Sequence, residues 1–276
     1  MPTVADLLRR GSNLPGESAR RDTEILLCHA LDKPRTWLYT WPESDVDAPR
    51  VEAFDALLAQ RTQGRPVAHL TGRREFWSLN LRVNEHTLIP RPETETLVEW
   101  ALALSLPAEA DVLDLGTGSG AIALALASER PNWQMSAVDA SPEALEVART
   151  NAAEAGLGRV QFCHSDWFGE MAGRRFHLLV SNPPYVEEGD VHLSTGDLRF
   201  EPQKALMARQ QGMSDLMELV RGAPDHLHPK GWLLLEHGHD QGEKVRALLA
   251  ERGFSHIETS RDLAGLERIS GGQWHV

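Results

Sequence analysis

The sequence has few of the features that mark secreted, membrane or metal-binding proteins. Its 276 residues include only two cysteines, Cys28 and Cys163, which are too few for a disulfide framework and lack metal-ligand spacing. No stretch approaches about 18 consecutive apolar residues, and the opening MPTVADLLRRG lacks the apolar region of a signal peptide. Internal repeats and low-complexity tracts are also missing. These absences favour a soluble protein of a reducing cytoplasm that makes no contact with a membrane.

A surplus of basic side chains is absent as well. The formal net charge is -12, and because residues 1–75 carry equal numbers of acidic and basic side chains, the whole surplus of acid lies in the remainder. Enzymes that act on nucleic acid usually have a basic surface around the active site. We therefore expect no direct nucleic-acid partner, although acidity that serves only solubility is an equally good interpretation.

Residues 1–75 have the periodicity of helices. Segments 17–31 and 48–63 repeat apolar residues at steps of three and four, and prolines separate these segments from their neighbours. The alternating segment 76–84 then predicts a short hairpin, and Pro92 is suited to the first turn of a helix over 93–106. We expect a small helical bundle followed by a hairpin linker over 76–92.

Strand and helix patterns alternate after Ala110. The expected strands are 111–115, 133–140, 160–166, 177–185 and 231–238, with a last strand near the C-terminus. Such alternation predicts an α/β fold with a parallel sheet, helices on both faces and ligands at the carboxyl ends of the strands. The predicted domains are therefore a helical domain (1–75), a hairpin linker (76–92) and a Rossmann-like domain (93–276).

A glycine-rich loop follows the first of these strands. It contains Gly116, Thr117, Gly118, Ser119 and Gly120, is preceded by Asp114, and is followed by Asp139 at the end of the next strand. Glycine allows sharp turns and a close approach of the backbone to a ligand. A carboxylate beside the loop would repel a pyrophosphate but attract an ammonium group, and Asp139 can accept the two hydroxyls of a ribose. This arrangement suits S-adenosylmethionine, although the glycines alone would also make an ordinary tight turn.

The third strand ends in Asp166-Trp167. Asp166 can accept a hydrogen bond from the amino group of adenine, and Trp167 can pack on the adenine ring. A core role for Trp167 is the alternative. We include both residues in the predicted cofactor site, together with Asn182 at the end of the next strand.

The fourth strand ends in Asn182-Pro183-Pro184-Tyr185. Two prolines fix the backbone and remove two N–H donors, so carbonyl oxygens and the Asn182 side chain remain as acceptors. An amide nitrogen is a weak nucleophile, and two acceptors that hold its N–H groups can aim its lone pair at a methyl donor. Tyr185 can stack on the planar group. We predict these four residues as the acceptor site; a stiff loop without chemistry is the alternative.

Together these motifs resemble one known family. DLGTGSG, Asp139, SDWF and NPPY, in this order, look like the N5-glutamine methyltransferases of peptide chain release factors, the PrmC/HemK family, over essentially the whole chain. The segments REFWSL, LIPRPETE, ALASERP and GDLRFEP also match that family. NPPY alone is shared with methyltransferases that act on nucleobase amines. The uninterrupted LIPRPETE (88–95) is similar to the release-factor enzyme, whereas the related enzyme for a ribosomal protein tends to interrupt it.

The resemblance implies a class I methyltransferase domain that uses S-adenosylmethionine, and a helical domain that docks the substrate. Its implied substrate is the glutamine of the Gly-Gly-Gln motif in class 1 release factors. Gly116–Gly120, Asp139 and Trp167 would then hold the cofactor, and Asn182 would bind the acceptor amide. A glutamine methyltransferase for a ribosomal protein, a methyltransferase for a nucleobase amine and an inactive cofactor-binding module remain alternatives.

Several other features receive weaker predictions. Arg91 is expected to pair with Glu93 or Glu95, and Arg199 and Glu201 have no assigned role. The long polar connection 186–203 is expected to close over the substrate. No histidines show metal-ligand spacing, so no metal is assigned. Gly271-Gly272-Gln273 repeats the substrate tripeptide by coincidence, because Gln273 is expected in an edge strand.

Overall fold

The computed structural model describes residues 1–14, 18–187, 189–190 and 196–275. The chain divides into two compact units. One unit consists of Met1–Arg73 and a later segment that ends at Phe200, of which residues 196–200 are described. The other unit contains the rest of the chain.

The first unit is helical. Its helices are α1 (Val4–Arg10), α2 (Ala19–Leu31), α3 (Arg35–Thr40), α4 (Ala48–Thr62) and α5 (Val67–Thr71). The side chains of Thr3 and Asp47 cap the amino ends of α1 and α4, where backbone N–H groups otherwise have no partner. Leu7, Leu27 and Phe54 lie in the core of this unit. The predicted helical bundle is therefore confirmed.

The segment that ends at Phe200 is attached to this unit by charged side chains. Arg61 on α4 donates to Asp22 on α2 and to Asp197, over 2.9 and 2.8 Å. Arg199 donates to the backbone carbonyl of Gln63. The sequence predicted no role for Arg199. In the structure, its bond to Gln63 holds residues 196–200 against the helices.

The second unit begins with a hairpin. Strands β1 (Arg73–Phe76) and β2 (Leu79–Arg82) are joined by Trp77 and Ser78, which both have positive φ, at 50° and 59°. A turn with two left-handed residues matches the twist of a two-stranded ribbon. A 3₁₀ turn (Pro92–Thr94) then leads into the helix α6 (Glu95–Ala103).

The main sheet follows. Its strands are β3 (Asp111–Leu115), β4 (Gln134–Asp139), β5 (Gln161–His164), β6 (Phe176–Ser181), β9 (Leu227–Glu236), β10 (Ser255–Arg261) and β11 (Glu267–Gln273), in the order β10-β11-β9-β6-β3-β4-β5. The remaining elements are helices α7 (Ala121–Glu129), α8 (Pro142–Glu154), α9 (Arg209–Gly212), α10 (Ser214–Gly222) and α11 (Gly242–Arg252), and a short pair, β7 (Val186–Glu187) and β8 (Met207–Ala208). The Rossmann-like α/β fold is confirmed.

The sequence had predicted a parallel sheet, but only part of the sheet is parallel. Strands β5, β4, β3, β6 and β9 are parallel, whereas β11 runs antiparallel to β9 and β10. A short loop between β10 and β11 makes an antiparallel pair, because a parallel connection needs a crossover of a dozen or more residues.

Helix α7 is the most apolar helix next to the sheet and is almost completely buried. All but its last two residues are buried, and the helix packs against α6, β3 and β4. A helix that is apolar on every side must be covered by protein on every side. Among the described residues, no helix has both the length and the apolar character that a bilayer crossing requires.

Strand β11 lies inside the sheet, so the expectation that Gln273 sits in an edge strand is wrong. Gln273 pairs with Trp232 on β9 and with Ser255 on β10, and its side-chain amide donates to the Lys230 carbonyl over 3.0 Å. Gly271 has no room for a side chain. A Cβ there would come within 2.4 Å of the Leu234 side chain and 2.9 Å of a backbone carbonyl.

Replacing Gly271 by alanine should therefore destabilise the second unit. Forcing a methyl group into this packed position is expected to lower the free energy of unfolding by about 1–3 kcal/mol. Chemical denaturation measures the change. Gly158→Ala is the control, because a Cβ at Gly158 meets nothing within 4 Å. Equal stability of the two variants would contradict the close packing between β11 and β9.

Candidate functional site

A cavity of about 1030 Å³ opens at the carboxyl ends of β3, β4 and β6. The parallel register aligns Leu115 with Val138 and with Ser181, so the loops that follow these three strands begin side by side. Of the predicted site residues, those on the cavity wall are Gly116, Thr117, Gly118, Ser119, Asp139, Asp166, Trp167, Asn182 and Pro184. Asp114, Gly120, Pro183 and Tyr185 do not line it.

The glycine loop is bent by left-handed residues. Gly116, Gly118 and Gly120 have φ values of 72°, 56° and 86°, a region that strains other residues. The N–H groups of Gly116 and Thr117 both donate to the Val138 carbonyl over 2.9 Å, which holds the loop against β4. A Cβ at Gly118 would meet no atom within 4 Å, so the backbone there faces open space.

Asp139 connects this loop to the start of α8. One of its carboxylate oxygens accepts the Gly118 N–H and the other accepts the Ser141 N–H, each over 2.8 Å. Burial raises the pKa of Asp139, and these backbone donors oppose the shift. Both oxygens keep lone pairs for further donors, and Asp139 lines the cavity.

Asp114 lies beneath the loop. Its Oδ2 accepts the Thr117 hydroxyl over 2.6 Å and the Ala123 N–H over 3.2 Å, so it braces the loop and the first turn of α7. Complete burial raises its pKa to about 7. Its Oδ1 is buried and has no hydrogen-bond partner among the described residues. Asp114 itself does not line the cavity.

Trp167 and Asp166 form another part of the wall. Trp167 has a φ of 44°, which is unusual for a bulky residue, and its ring lies so close to Gly116 that a Cβ there would be 3.2 Å from it. The turn is held by Ser165, whose hydroxyl donates to the Trp167 carbonyl and accepts the Glu170 N–H. Asp166 is exposed. Trp167 thus adopts a strained left-handed backbone conformation, and its ring packs against the glycine loop.

Asn182 follows directly after β6. The preceding residue, Ser181, donates its hydroxyl to the Leu115 carbonyl over 2.6 Å, which fixes the end of β6 against β3. The Asn182 side chain donates through Nδ2 to Thr94 Oγ1 over 3.2 Å. Its Oδ1 is therefore the atom that remains to accept a hydrogen bond from a ligand in the cavity.

Tyr185 follows the two prolines and does not line the cavity. Its hydroxyl donates to Oε1 of Glu236 over 3.4 Å, and burial together with this carboxylate raises the pKa of Tyr185. Its backbone carbonyl accepts from Gln241 Nε2 over 3.1 Å. Both ends of Tyr185 are therefore hydrogen-bonded, and Tyr185 is not among the residues that line the cavity. Its stacking on a substrate stays a prediction.

Gln241 also fixes a second backbone segment. Its Nε2 donates to the Gln211 carbonyl over 3.3 Å, and its Oε1 accepts the Gly238 N–H over 2.8 Å. Gln210, Gln211 and Gly212 have consecutive positive φ values. A Cβ at Gly212 would come within 2.1 Å of the Tyr185 carbonyl, so this turn lies directly against the proline turn.

Arg91 lines the cavity, and its ion-pair partner differs from the expected one. It pairs with Glu201, not with Glu93 or Glu95 as the sequence had suggested. The Glu201 side chain is fully buried, and its other oxygen accepts the Ile89 N–H over 2.9 Å. A backbone N–H and a guanidinium that converge on one buried carboxylate keep the segment before α6 in place.

The predicted closing segment 186–203 includes residues 188 and 191–195, which lie outside the described residues. Of the described residues, Asp111, His177 and His228 lie near enough to one another to hold a metal ion. They lie at the amino ends of their strands, and His177 Nδ1 already accepts the Asp111 N–H over 3.0 Å. The assignment of no metal stays a prediction.

Three residues that surround the site were missed by the sequence analysis. Thr94 belongs to LIPRPETE but had no predicted role of its own, and neither Glu236 at the end of β9 nor Gln241 before α11 was predicted to support the site. A carboxylate at the end of an apolar run, as in GWLLLEHG, is an available signal, since a buried charge needs a specific partner.

Comparison with known proteins supports the fold and the family. The methyltransferase small domain matches residues 94–212, and the PrmC N-terminal domain matches residues 6–72. A crystal structure of a methyltransferase from Pyrococcus furiosus is similar in fold, with a TM-score of 0.56 at 18% identity over 79% of this chain and 98% of that one.

Sequence relatives are much closer. The chain is 53% identical over 274 residues to a release factor glutamine methyltransferase of Pseudomonas aeruginosa, with 99% of both proteins covered. It is 48% identical over 259 residues to a protein of the same name from Escherichia coli K12, with 94% of both covered. At this identity and coverage, the chain belongs to the family of release factor glutamine methyltransferases.

Proposed function

We propose that the chain transfers a methyl group from S-adenosylmethionine to the side-chain amide nitrogen of the glutamine in the Gly-Gly-Gln motif of class 1 release factors. One observation carries this proposal: Asn182 lines the same cavity as the glycine loop and Asp139. Its Nδ2 donates a hydrogen bond to Thr94 Oγ1, which leaves Oδ1 as an acceptor. The relatives that match nearly the whole chain are named for this reaction.

The cavity fits the cofactor. Its volume of about 1030 Å³ accommodates a nucleoside with an amino-acid tail. We assign the ribose hydroxyls to Asp139, the adenine to Asp166 and Trp167, and the methionyl part to Gly116–Gly120, where the backbone at Gly118 faces open space. The unpartnered Oδ1 of Asp114 favours a positive charge above the loop, so Asp114 acts through the field of its carboxylate. When bound, S-adenosylmethionine supplies an electrophilic methyl carbon.

The proline turn prepares the acceptor. We assign one N–H group of the substrate amide to Asn182 Oδ1, with Pro184 as the wall of the slot. The second N–H is proposed for the Pro183 carbonyl, although Pro183 itself does not line the cavity. These acceptors become more favourable as positive charge develops on the nitrogen, so they stabilise the transition state more than the ground state. Tyr185 contributes by anchoring the turn to Glu236.

The partner is a protein. We propose that the helical unit, whose sequence matches the PrmC N-terminal domain, docks the release factor. The surplus of acidic side chains lies outside residues 1–75, which suits a basic partner better than a nucleic acid. Release factors act with ribosomes, so we place the reaction in the cytoplasm.

A methylation assay tests the substrate. Purified protein is incubated with methyl-labelled S-adenosylmethionine and a class 1 release factor, and the labelled residue is located by peptide mass spectrometry. Label should appear on the Gly-Gly-Gln glutamine and vanish when that glutamine is replaced by alanine. Label on ribosomal proteins or nucleic acid in parallel reactions, with none on the release factor, would favour the other substrates.

Asn182→Ala should abolish most turnover. Removing the acceptor for one substrate N–H is expected to lower kcat by about 100-fold or more, by analogy with the loss of one oxyanion-hole group. Affinity for S-adenosylhomocysteine, measured by calorimetry, should stay nearly unchanged. Asn132→Ala is the control, because Asn132 is exposed and outside the cavity. A fully active Asn182→Ala variant would remove the support for this acceptor site.

Asp139→Asn should weaken cofactor binding. An amide has one acceptor oxygen where the carboxylate has two, so one charge-assisted bond to the ribose is lost, which corresponds to about 10- to 100-fold in Kd. Calorimetry with S-adenosylhomocysteine gives the value. Asp240→Asn makes the same change on an exposed carboxylate outside the cavity. Similar Kd values for both variants would contradict the ribose assignment.

A further inference from the structure

We propose that Arg91 binds the carboxylate of the methionyl tail of S-adenosylmethionine and that Glu201 positions Arg91 for this contact. This inference rests on the proposed function, in which S-adenosylmethionine occupies the cavity. The methionyl tail carries an ammonium group and a carboxylate, and each is stabilised by a nearby group of opposite charge. The carboxylate of Asp114 favours the ammonium group, whereas the tail's own carboxylate needs a cation on the cavity wall.

Few basic side chains line the cavity. Among the described residues on its wall, they are His86, Arg91 and Lys204. His86 and Lys204 are exposed, so water and salt screen their interactions with a ligand. The Arg91 side chain is only 29% exposed, and a guanidinium is always protonated in proteins. Arg91 is therefore the cation on this wall that is best suited to a carboxylate.

Arg91 is connected to the acceptor end of the cavity. Its carbonyl accepts the Thr94 N–H over 3.1 Å, and Thr94 Oγ1 accepts from Asn182 Nδ2 over 3.2 Å. In the proposed function the methyl group is transferred beside Asn182. Because the same sulfonium carries the methionyl tail, the carboxylate of the tail belongs at this end of the cavity, where Arg91 lines the wall.

Glu201 holds the Arg91 guanidinium in place. Its buried carboxylate accepts from Arg91 Nη2 through one oxygen and from the Ile89 N–H, over 2.9 Å, through the other. The guanidinium makes no other hydrogen bond among the described residues. Its planar fork has five N–H donors, so donors remain for a second carboxylate. Because the side chain is already immobilised, little conformational entropy is lost when that carboxylate binds.

Two ligands that differ only in the carboxylate test this assignment. S-adenosylhomocysteine has the carboxylate, whereas decarboxylated S-adenosylhomocysteine keeps the adenosine, the thioether and the amino group. Arg91→Gln should weaken binding of S-adenosylhomocysteine by about 10- to 100-fold, as expected for the loss of a hydrogen bond to a charged group. The affinity for the decarboxylated ligand should stay nearly unchanged. Calorimetry measures both dissociation constants, and circular dichroism establishes that the variant is folded.

Two further variants separate the charge from its support. Lys204→Gln removes another cation from the cavity wall and should leave both affinities nearly unchanged. Glu201→Gln keeps an acceptor oxygen but removes the ion pair with Arg91, so the guanidinium is less well fixed. It should weaken S-adenosylhomocysteine more than the decarboxylated ligand, as Arg91→Gln does, but with a smaller loss.

The outcomes distinguish this inference from the proposed function. Equal weakening of both ligands by Arg91→Gln, or a larger loss for S-adenosylhomocysteine in Lys204→Gln, would overturn the role of Arg91 while leaving methyl transfer to the release factor intact. A loss confined to S-adenosylhomocysteine, together with no label on any release factor, would overturn only the substrate. Failure of the wild type to bind S-adenosylhomocysteine would overturn both.

Discussion

Parallel pairing of β3 with β4 and with β6 is the constraint on which the site depends. It brings three strand ends to one edge, so the glycine loop, Asp139 and Asn182 meet although they are far apart in sequence. The alignment is reinforced where it matters most. Ser181 donates to the Leu115 carbonyl between β6 and β3, and the glycine loop donates to the Val138 carbonyl of β4. A shift of one residue would turn each of these side chains to the other face of the sheet.

Buried carboxylates support this edge from behind. Asp114 braces the glycine loop, Glu201 holds the segment before α6, and Glu236 accepts from the Tyr185 hydroxyl. A buried charge is costly unless it is hydrogen-bonded, and burial raises the pKa of both Asp114 and Glu236 to about 7. Asp114 and Glu201 each accept two donors, so each fixes the segments that carry those donors relative to one another.

The sequence predicted the parts of this structure that depend on local pattern. Strand periods, glycines and prolines located the strand ends, and a parallel α/β sheet brings such ends together, so the positions of Gly116, Asp139 and Asn182 on one cavity followed. Contacts between distant segments could not be predicted in this way. Arg91 has two acidic neighbours in sequence, yet it pairs with Glu201, and nothing in the pattern of β11 distinguishes an inner strand from an edge strand.

Tyr185 shows how the two kinds of information combine. From the sequence, an aromatic residue beside two prolines suggested a stacking surface, since the motif was considered without its surroundings. In the structure, the Tyr185 hydroxyl reaches Glu236 and its carbonyl reaches Gln241, so both ends of the residue are held. An amide acceptor needs accurately placed oxygens, because its lone pair must be aimed before it can react. A tyrosine that immobilises the proline turn serves that need better than one left free to stack.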